Sequence, residues 1–297
     1  MFRILKIVLL LGVLLGALCY FYAPARLAAI VALGRSPVCP FSHAIRSADE
    51  LQTQIAYNKR IILASKLIAK DPGGYHLWDT PHGRFWIPEG SDYVLPFNLA
   101  EQERKIYGVG EQDVHAGDIV LDCGANVGYS SVYLLSRFPK ARLVAIEPER
   151  TNFEALRRNM AAFGDRVTCL HAGVWSHPAG LVVEEHDTSS GKEWAFTVRE
   201  ANAAEAPHVM ATDLTSVWRN AGSPVISILK MDIEGSERVV FDAPEKPWLS
   251  AVENIVIELH GADCSDALHR AIDGMGFAIS ACGEITVCKR KIPFARA

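Results

Sequence analysis

The 297-residue chain has no C-x-x-C pair, no Asn-x-Ser/Thr sequon, no long Lys/Arg block and no G-x-G-x-x-G turn. Each absence removes a class of protein. Seven cysteines, an odd number without metal-ligand spacing, argue against a disulfide framework and a structural zinc site. Cys123 and Cys169 sit in apolar runs, as small buried thiols do. Cys282 and Cys288 flank a turn and form one candidate pair. Together these features suit a reducing, cytosolic compartment for the main domain. A formal net charge of −4 leaves no electrostatic footprint for DNA or RNA, so no nucleic-acid partner is expected. No internal repeat or low-complexity tract is present.

What is present is a globular balance, 49% hydrophobic and 22% charged. It can furnish one large α/β domain behind an N-terminal extension. Three segments follow from the pattern: 1–36, an apolar anchor; 37–110, a helix and hairpin; and 111–297, the main domain. Ile7–Tyr22 is an uninterrupted apolar run of 16 residues behind Arg3 and Lys6, a little short of the roughly 20 of a straight membrane span. Pro24 spoils the Ala23–Ala25 cleavage site of a secretory signal, and Leu18 before Cys19 excludes a lipoprotein signal. The expectation is an uncleaved single-pass anchor with the main domain in the cytosol.

Beyond it, Ser47-Ala-Asp-Glu50 has the form of a capping box and predicts a helix to about Lys70, stopped by Asp71-Pro-Gly-Gly74. Tyr75–Pro88 reads as a hairpin turning at His82-Gly83, and Leu99–Tyr107 as a helix. From Gly117 onward short apolar strands alternate with amphipathic helices, the pattern of a parallel sheet covered on both faces. The strands are Ile119–Asp122, Arg142–Glu147, Val167–His171, Val225–Asp232 and Asn254–His260. The helices are Tyr129–Phe138, Thr151–Phe163, Asp213–Ala221 and Ser236–Phe241. Leu181–Glu185 and Ala195–Val198 read as an inserted hairpin, and Gly276–Ser280 with Ile285–Arg290 as an antiparallel edge pair.

In an open α/β sheet, ligands bind beyond the carboxyl ends of the strands where strand order reverses. The first strand ends in Asp122-Cys-Gly-Ala-Asn-Val-Gly128. Gly124 and Gly128 admit a tight turn and close backbone approach. Asp122 opposes a pyrophosphate at that place but attracts the cationic α-amino group of a methionine moiety, which Asn126 is equipped to help bind. The second strand ends at Glu147, about 20 residues past the glycine turn, where a carboxylate receives two ribose hydroxyls. Pro148 can lie against the base. The order strand–Asp-x-Gly-x-Asn-x-Gly–helix–strand–Glu-Pro therefore points to S-adenosylmethionine.

The same residues carry a family likeness. Val120–Gly128, Ile146-Glu-Pro-Glu149 with Asn152 and Asn159, Leu229-Lys-Met-Asp-Ile-Glu-Gly-Ser-Glu237 and Ile255–His260 resemble the FkbM-type methyltransferases. The resemblance runs from about Trp78 to the C-terminus. It implies a class I methyltransferase fold, a Rossmann-like seven-stranded, mainly parallel sheet with an antiparallel edge strand. It also implies S-adenosylmethionine as methyl donor and, usually, a hydroxyl acceptor.

An alcohol is a poor nucleophile until its proton is removed or a metal polarises it. Lys230, Asp232, Glu234, Glu258 and His260 end the fourth and fifth strands, and alternation groups Asp232 with Glu234 and Glu258 with His260. The expected catalytic residues are Asp232, His260 and Glu234, with His260 or Asp232 as general base. The alternative is a divalent metal on Asp232, Glu234 and His260. The metal-free route is preferred because no compact ligand motif is present. Glu258 has a structural reading as a partner for Lys230, and Glu234-Gly235 as a helix cap. The expected acceptor is a small molecule, lipid or glycan hydroxyl at the membrane. Two rivals remain: a non-catalytic S-adenosylmethionine-binding module, and a nicotinamide-dependent oxidoreductase, which lacks its pyrophosphate loop.

Overall fold

The structure, a computed structural model, describes residues 48–96, 98–99, 108–110, 113–185, 196–282 and 284–294. The chain divides into two compact units, Met1–Lys59 and Arg60–Ala297. Within the first, the described part is the start of helix α1 (Ala48–Ala64). The expected anchor at 1–36 and most of the expected helix Leu99–Tyr107 lie outside the described residues. Among the described residues, no helix is long and apolar enough to cross a membrane.

The second unit opens with an antiparallel three-stranded sheet, β1 (Lys66–Lys70), β2 (Tyr75–Thr80) and β3 (Gly83–Pro88). Here the expectation of a helix to Lys70 fails. α1 stops at Ala64, Ser65 bonds back to the Ile61 carbonyl through both its N–H and its hydroxyl, and Lys66–Lys70 pairs with β2. Strand pairing with Leu77 and Trp78 overrides the local helical preference of this segment. Asp71 shapes the next turn by accepting the Gly73 and Tyr75 N–H groups at 2.8 and 3.1 Å. The β2–β3 hairpin forms, but its two-residue turn is Pro81-His82, one residue before the expected His82-Gly83, because Gly83 pairs with Thr80 as the first residue of β3.

The main sheet has seven strands in the order β6-β5-β4-β11-β12-β14-β13. These are β4 (Ile119–Cys123), β5 (Arg142–Glu147), β6 (Val167–His171), β11 (Ile226–Met231), β12 (Asn254–Glu258), β13 (Phe277–Cys282) and β14 (Ile285–Arg290). From β6 through β12 the neighbours pair in parallel. β14 is antiparallel to both β12 and β13. The expected antiparallel edge pair is present, but the antiparallel strand of the sheet, β14, is one place in from the edge, a correction to the expected antiparallel edge strand. The chain forms the outermost strand first, and the hairpin return slots β14 between it and β12. Cys288, on β14, is a buried free thiol opposite Ile279, so it does not pair with Cys282.

Every residue of β4 and β11 is buried, as two covered faces require. Ile119, Leu121 and Cys123 share one apolar cluster with Leu229, Met231, Ile255 and Ile257. Each such aliphatic side chain contributes about 1.5–3 kcal/mol by leaving water. The covering helices are α2 (Tyr129–Arg137), α3 (Arg150–Met160), α4 (Leu214–Asn220), α5 (Glu237–Phe241) and α6 (Ala262–Ile272). Carboxylates cap two of them: Glu149 accepts the Asn152 N–H and Asp213 the Ser216 N–H, each satisfying an otherwise unmet helix-terminal donor.

A second sheet, ordered β7-β10-β8-β9, branches off after β6. It holds the expected inserted hairpin, β8 (Gly180–Glu185) with β9 (Phe196–Glu200). β7 (Gly173–Trp175) and β10 (Val209–Asp213) complete it. Strand order reverses between β4 and β11, so the switch point lies beyond the ends of those two strands.

Candidate active site

The turn after β4 meets the turn after β11 backbone to backbone. Gly124 has φ +75°, and a Cβ on it would lie 1.8 Å from the Asp232 carbonyl oxygen. No side chain fits there. Asp232 N–H donates to the Cys123 carbonyl at 3.0 Å, and Lys230 Nζ to the Gly124 carbonyl at 2.8 Å. Asn126 takes a left-handed backbone, φ 50°, uncommon for a side-chain-bearing residue though best tolerated by Asn. Its N–H donates to Glu147 Oε2 at 2.8 Å, while its own Oδ1 accepts the Val127 N–H at 2.7 Å.

Glu147 ends β5 inside a cleft lined by Gly124, Asn126, Ile146, Glu147, Pro148, Asn152, Gly173, Val174, Phe196, Val198, Asp232, Ile233 and Glu234. Its Oε1 accepts the Glu149 N–H at 2.9 Å. Two backbone donors thus fix the carboxylate, and a carboxylate has about four acceptor positions, so capacity for two further donors remains. Burial raises its pKa to about 7 against the lowering effect of those two bonds. Asn159, buried on α3, ties the neighbourhood together. Its Oδ1 accepts the Trp86 N–H at 2.7 Å, and its Nδ2 donates to the Trp86 and Val127 carbonyls at 2.9 and 2.8 Å. One amide therefore joins the N-terminal hairpin, α3 and the glycine turn.

Beyond β11 and β12 an imidazole stands among carboxylates. His260 Nδ1 lies 3.0 Å from Glu237 Oε1. Its Nε2 lies 3.3 Å from Glu234 Oε2, 3.8 Å from Glu258 Oε1 and 3.9 Å from Asp232 Oδ1. Burial works against the imidazolium, but the Glu237 hydrogen bond and the charges of Glu237, Glu234 and Asp232 outweigh it and raise His260 to about 10. Glu234 is pushed up to about 7 by burial and then by Asp232. Burial pushes Glu237 the other way from its partner, yet the His260 bond and charge bring its pKa below the usual carboxylate value. The surrounding carboxylates thus favour the protonated form of the imidazole.

The structure brings Asp232, Glu234 and His260 together as anticipated, though by turns rather than strand alternation. β11 ends at Met231 and β12 at Glu258. Glu234 and Gly235 both have positive φ, 53° and 98°. Left-handed backbone at a non-glycine residue is strain of the kind that gathers at functional turns. Glu237 was missed; it is fully buried, and its Oε1 also accepts the Ile233 N–H at 3.1 Å. Glu237, rather than Glu234, is thus the acidic residue that bonds back to the start of this turn.

Gly124, Asn126, Glu147 and Pro148 line the cleft, but Asp122 and Gly128 do not. Asp122 is fully buried, its Oδ2 accepting the Ser131 hydroxyl at 2.6 Å and its Oδ1 lying 3.3 Å from Lys230 Nζ. These contacts tie it to α2 and to Lys230. Lys230 also lies 3.7 Å from Asp232 Oδ2. Gly128 serves packing, since a Cβ on it would come within 2.8 Å of Leu156 and 3.0 Å of Met160 on α3. Phe196 and Val198 of β9, and Gly173 with Val174 of β7, are cleft walls that sequence reasoning left unassigned. Alternation along β9 was the available signal.

The Methyltransferase FkbM domain profile matches residues 122–279, more than half of the chain. The chain belongs to the FkbM-domain methyltransferase family. Among its relatives is the AMB antimetabolite synthetase AmbE of Pseudomonas aeruginosa, 26% identical over 242 residues covering 65% of this chain but 11% of AmbE. Methyltransferase 1 of Beauveria bassiana is 21% identical over 54% of this chain and 72% of its own length. The 31-O-demethyl-FK506 methyltransferase FkbM of Streptomyces tacrolimicus is 27% identical over 51% of this chain and 68% of its own.

The cofactor of this FkbM-domain protein is S-adenosylmethionine, and the residues present fit it. Glu147 offers a buried carboxylate with acceptor capacity left for a pair of hydroxyls. Ile146, Val174, Phe196 and Val198 supply apolar walls for a flat base. The bare Gly124 backbone lets the ligand approach the strand ends closely.

Proposed function

We propose that the protein transfers a methyl group from S-adenosylmethionine to a hydroxyl of a small molecule, lipid or glycan. The observation that carries this reading is the shared cleft. The Glu147 carboxylate and the Asp232–Glu234 turn line one continuous space, so a nucleoside held by the first presents its far end to the second. When bound, S-adenosylmethionine supplies an electrophilic methyl on a sulfonium, and transfer to oxygen releases the hydroxyl proton and leaves S-adenosylhomocysteine. In-line displacement depends chiefly on positioning. Glu147 and the Asn126 backbone fix the nucleoside end. Asp232, at the joint between the two turns, meets the acceptor oxygen and takes its hydrogen bond. The net charge of −4 supports an acceptor other than nucleic acid. The apolar run Ile7–Tyr22 supports a membrane tether, and the cytosolic supply of the methyl donor supports a catalytic domain in the cytosol; resistance of the full chain to alkaline extraction from membranes checks the tether.

Calorimetric titration of the purified chain with S-adenosylhomocysteine and with NAD tests the cofactor side. Saturable binding of the first, lost in Glu147→Ala, is expected. A preference for NAD would sink the proposal. On the chemical side, an Asp232→Ala variant should bind S-adenosylhomocysteine within about threefold of the parent. Its methyl transfer to any accepted hydroxyl should fall at least a hundredfold, the scale of one general acid–base group.

A further inference from the structure

Four carboxylates, those of Asp232, Glu234, Glu237 and Glu258, stand around the single imidazole of His260. Glu237 holds Nδ1 at 3.0 Å, so Nε2 faces the other three acids. Glu237 is fully buried, and its second oxygen is buried without a hydrogen-bond partner. This arrangement concentrates negative charge around Nε2, and a cation that displaces the imidazole's proton relieves it. The spacing suits one. Donors about 2.1 Å from a six-coordinate ion are separated by about 3.0 Å when adjacent and about 4.2 Å when opposite. Nε2 lies 3.3 Å from Glu234 Oε2 and 3.9 Å from Asp232 Oδ1, and one donor atom from each of the three residues falls within 4.8 Å of the others.

Two further features agree. A metal-ligating histidine is oriented by a carboxylate on its other ring nitrogen, the position Glu237 holds on α5. All three residues are also partly accessible, with Asp232 and Glu234 lining the cleft, so solvent or an acceptor oxygen can reach the same point. One imidazole with carboxylate oxygens is a hard donor set, suited to Mg2+ or Mn2+ rather than to thiolate-seeking ions.

We propose that Asp232, Glu234 and His260 bind one divalent cation of the Mg2+/Mn2+ class, with Glu237 as the positioning residue that aims His260. The cation's remaining positions face the cleft, where it polarises the acceptor oxygen. This role rests on the methyltransferase reading; the binding itself does not.

The test is titration of the full chain, stripped with chelator and dialysed, with Mn2+, following the free-ion electron paramagnetic resonance signal. One saturable site per chain is expected. His260→Ala and Glu234→Gln should each weaken it at least tenfold, and Glu237→Gln ten- to a hundredfold, as loss of an outer carboxylate does. Absence of saturable Mn2+ binding to the parent chain would overturn the inference, as would an unchanged site in His260→Ala. Calorimetry with S-adenosylhomocysteine on the same metal-free protein separates the two readings. Cofactor binding without Mn2+ binding ends the cation inference alone. Mn2+ binding without cofactor binding upholds the cation site and ends the methyltransferase reading.

Discussion

Glu147 is an acid whose burial raises its pKa from 4.5 to about 7, and the sign of the consequence follows directly. The unfolded chain releases this proton more readily than the folded one. Stability from this residue is therefore whole below pH 4.5, falls as pH rises toward 7 and stays low above. At about 1.4 kcal/mol per unit, the change reaches about 3 kcal/mol. Urea unfolding of the parent relative to Glu147→Gln should show the parent losing up to about 3 kcal/mol between pH 4 and 8; a difference that does not vary with pH refutes this. Hydroxyl donors favour the ionised form, so S-adenosylhomocysteine affinity in the parent should rise through about pH 7 and be flat in Glu147→Gln. Glu147 was legible in the sequence because its place is local, a strand end a fixed distance past a glycine turn. Asp122 was equally local, but its partners were not. Only the folded chain shows that Lys230, from a strand far along the sequence, pairs with it and that Ser131 donates to it. Glu237 gave no signal, since an acid opening a helix is usually solvated; here α6 and His260 bury it.

At the scale of elements, Asn159 is the joint that lets the hairpin brace the glycine turn. Its three side-chain bonds satisfy backbone groups of Trp86 and Val127. A buried backbone group left bare costs about 1–3 kcal/mol. Asn159→Ala should lower unfolding free energy by about 2–4 kcal/mol in urea, with S-adenosylhomocysteine affinity falling alongside; a loss under about 0.5 kcal/mol would show the joint to be dispensable. The parallel strands were read from apolar runs because burial on both faces leaves that mark. β1 was not, since an edge strand exposed at all five positions carries no burial pattern and takes its conformation from its neighbour. β7 and β10 also escaped notice, being short and paired across a long insertion. The place of β14 between β12 and β13 depends on long-range pairing that no periodicity records.

At the scale of the whole molecule, one sheet sets the ligand's position and a second, smaller sheet walls it with Phe196 and Val198. A ligand that binds only the folded cleft stabilises the fold by mass action. At a concentration of one hundred times its Kd the gain is about 2.7 kcal/mol, or roughly 5–10 °C in Tm for a unit of this size. S-adenosylhomocysteine should raise Tm by that amount and NAD should leave it unchanged; equal shifts from both would contradict the assigned cleft.

The close approach of Gly124 to the Asp232 carbonyl has a consequence beyond sterics. With the Cys123–Asp232 and Gly124–Lys230 bonds on either side, the two turns have no slack between them and move as one mechanical part. A displacement of the first turn on nucleoside binding is therefore expected to reach the second turn at the Asp232 carbonyl. An isotope-labelled Asp232 carbonyl should therefore act as a vibrational gauge, shifting in frequency when the opposite end of the cleft fills.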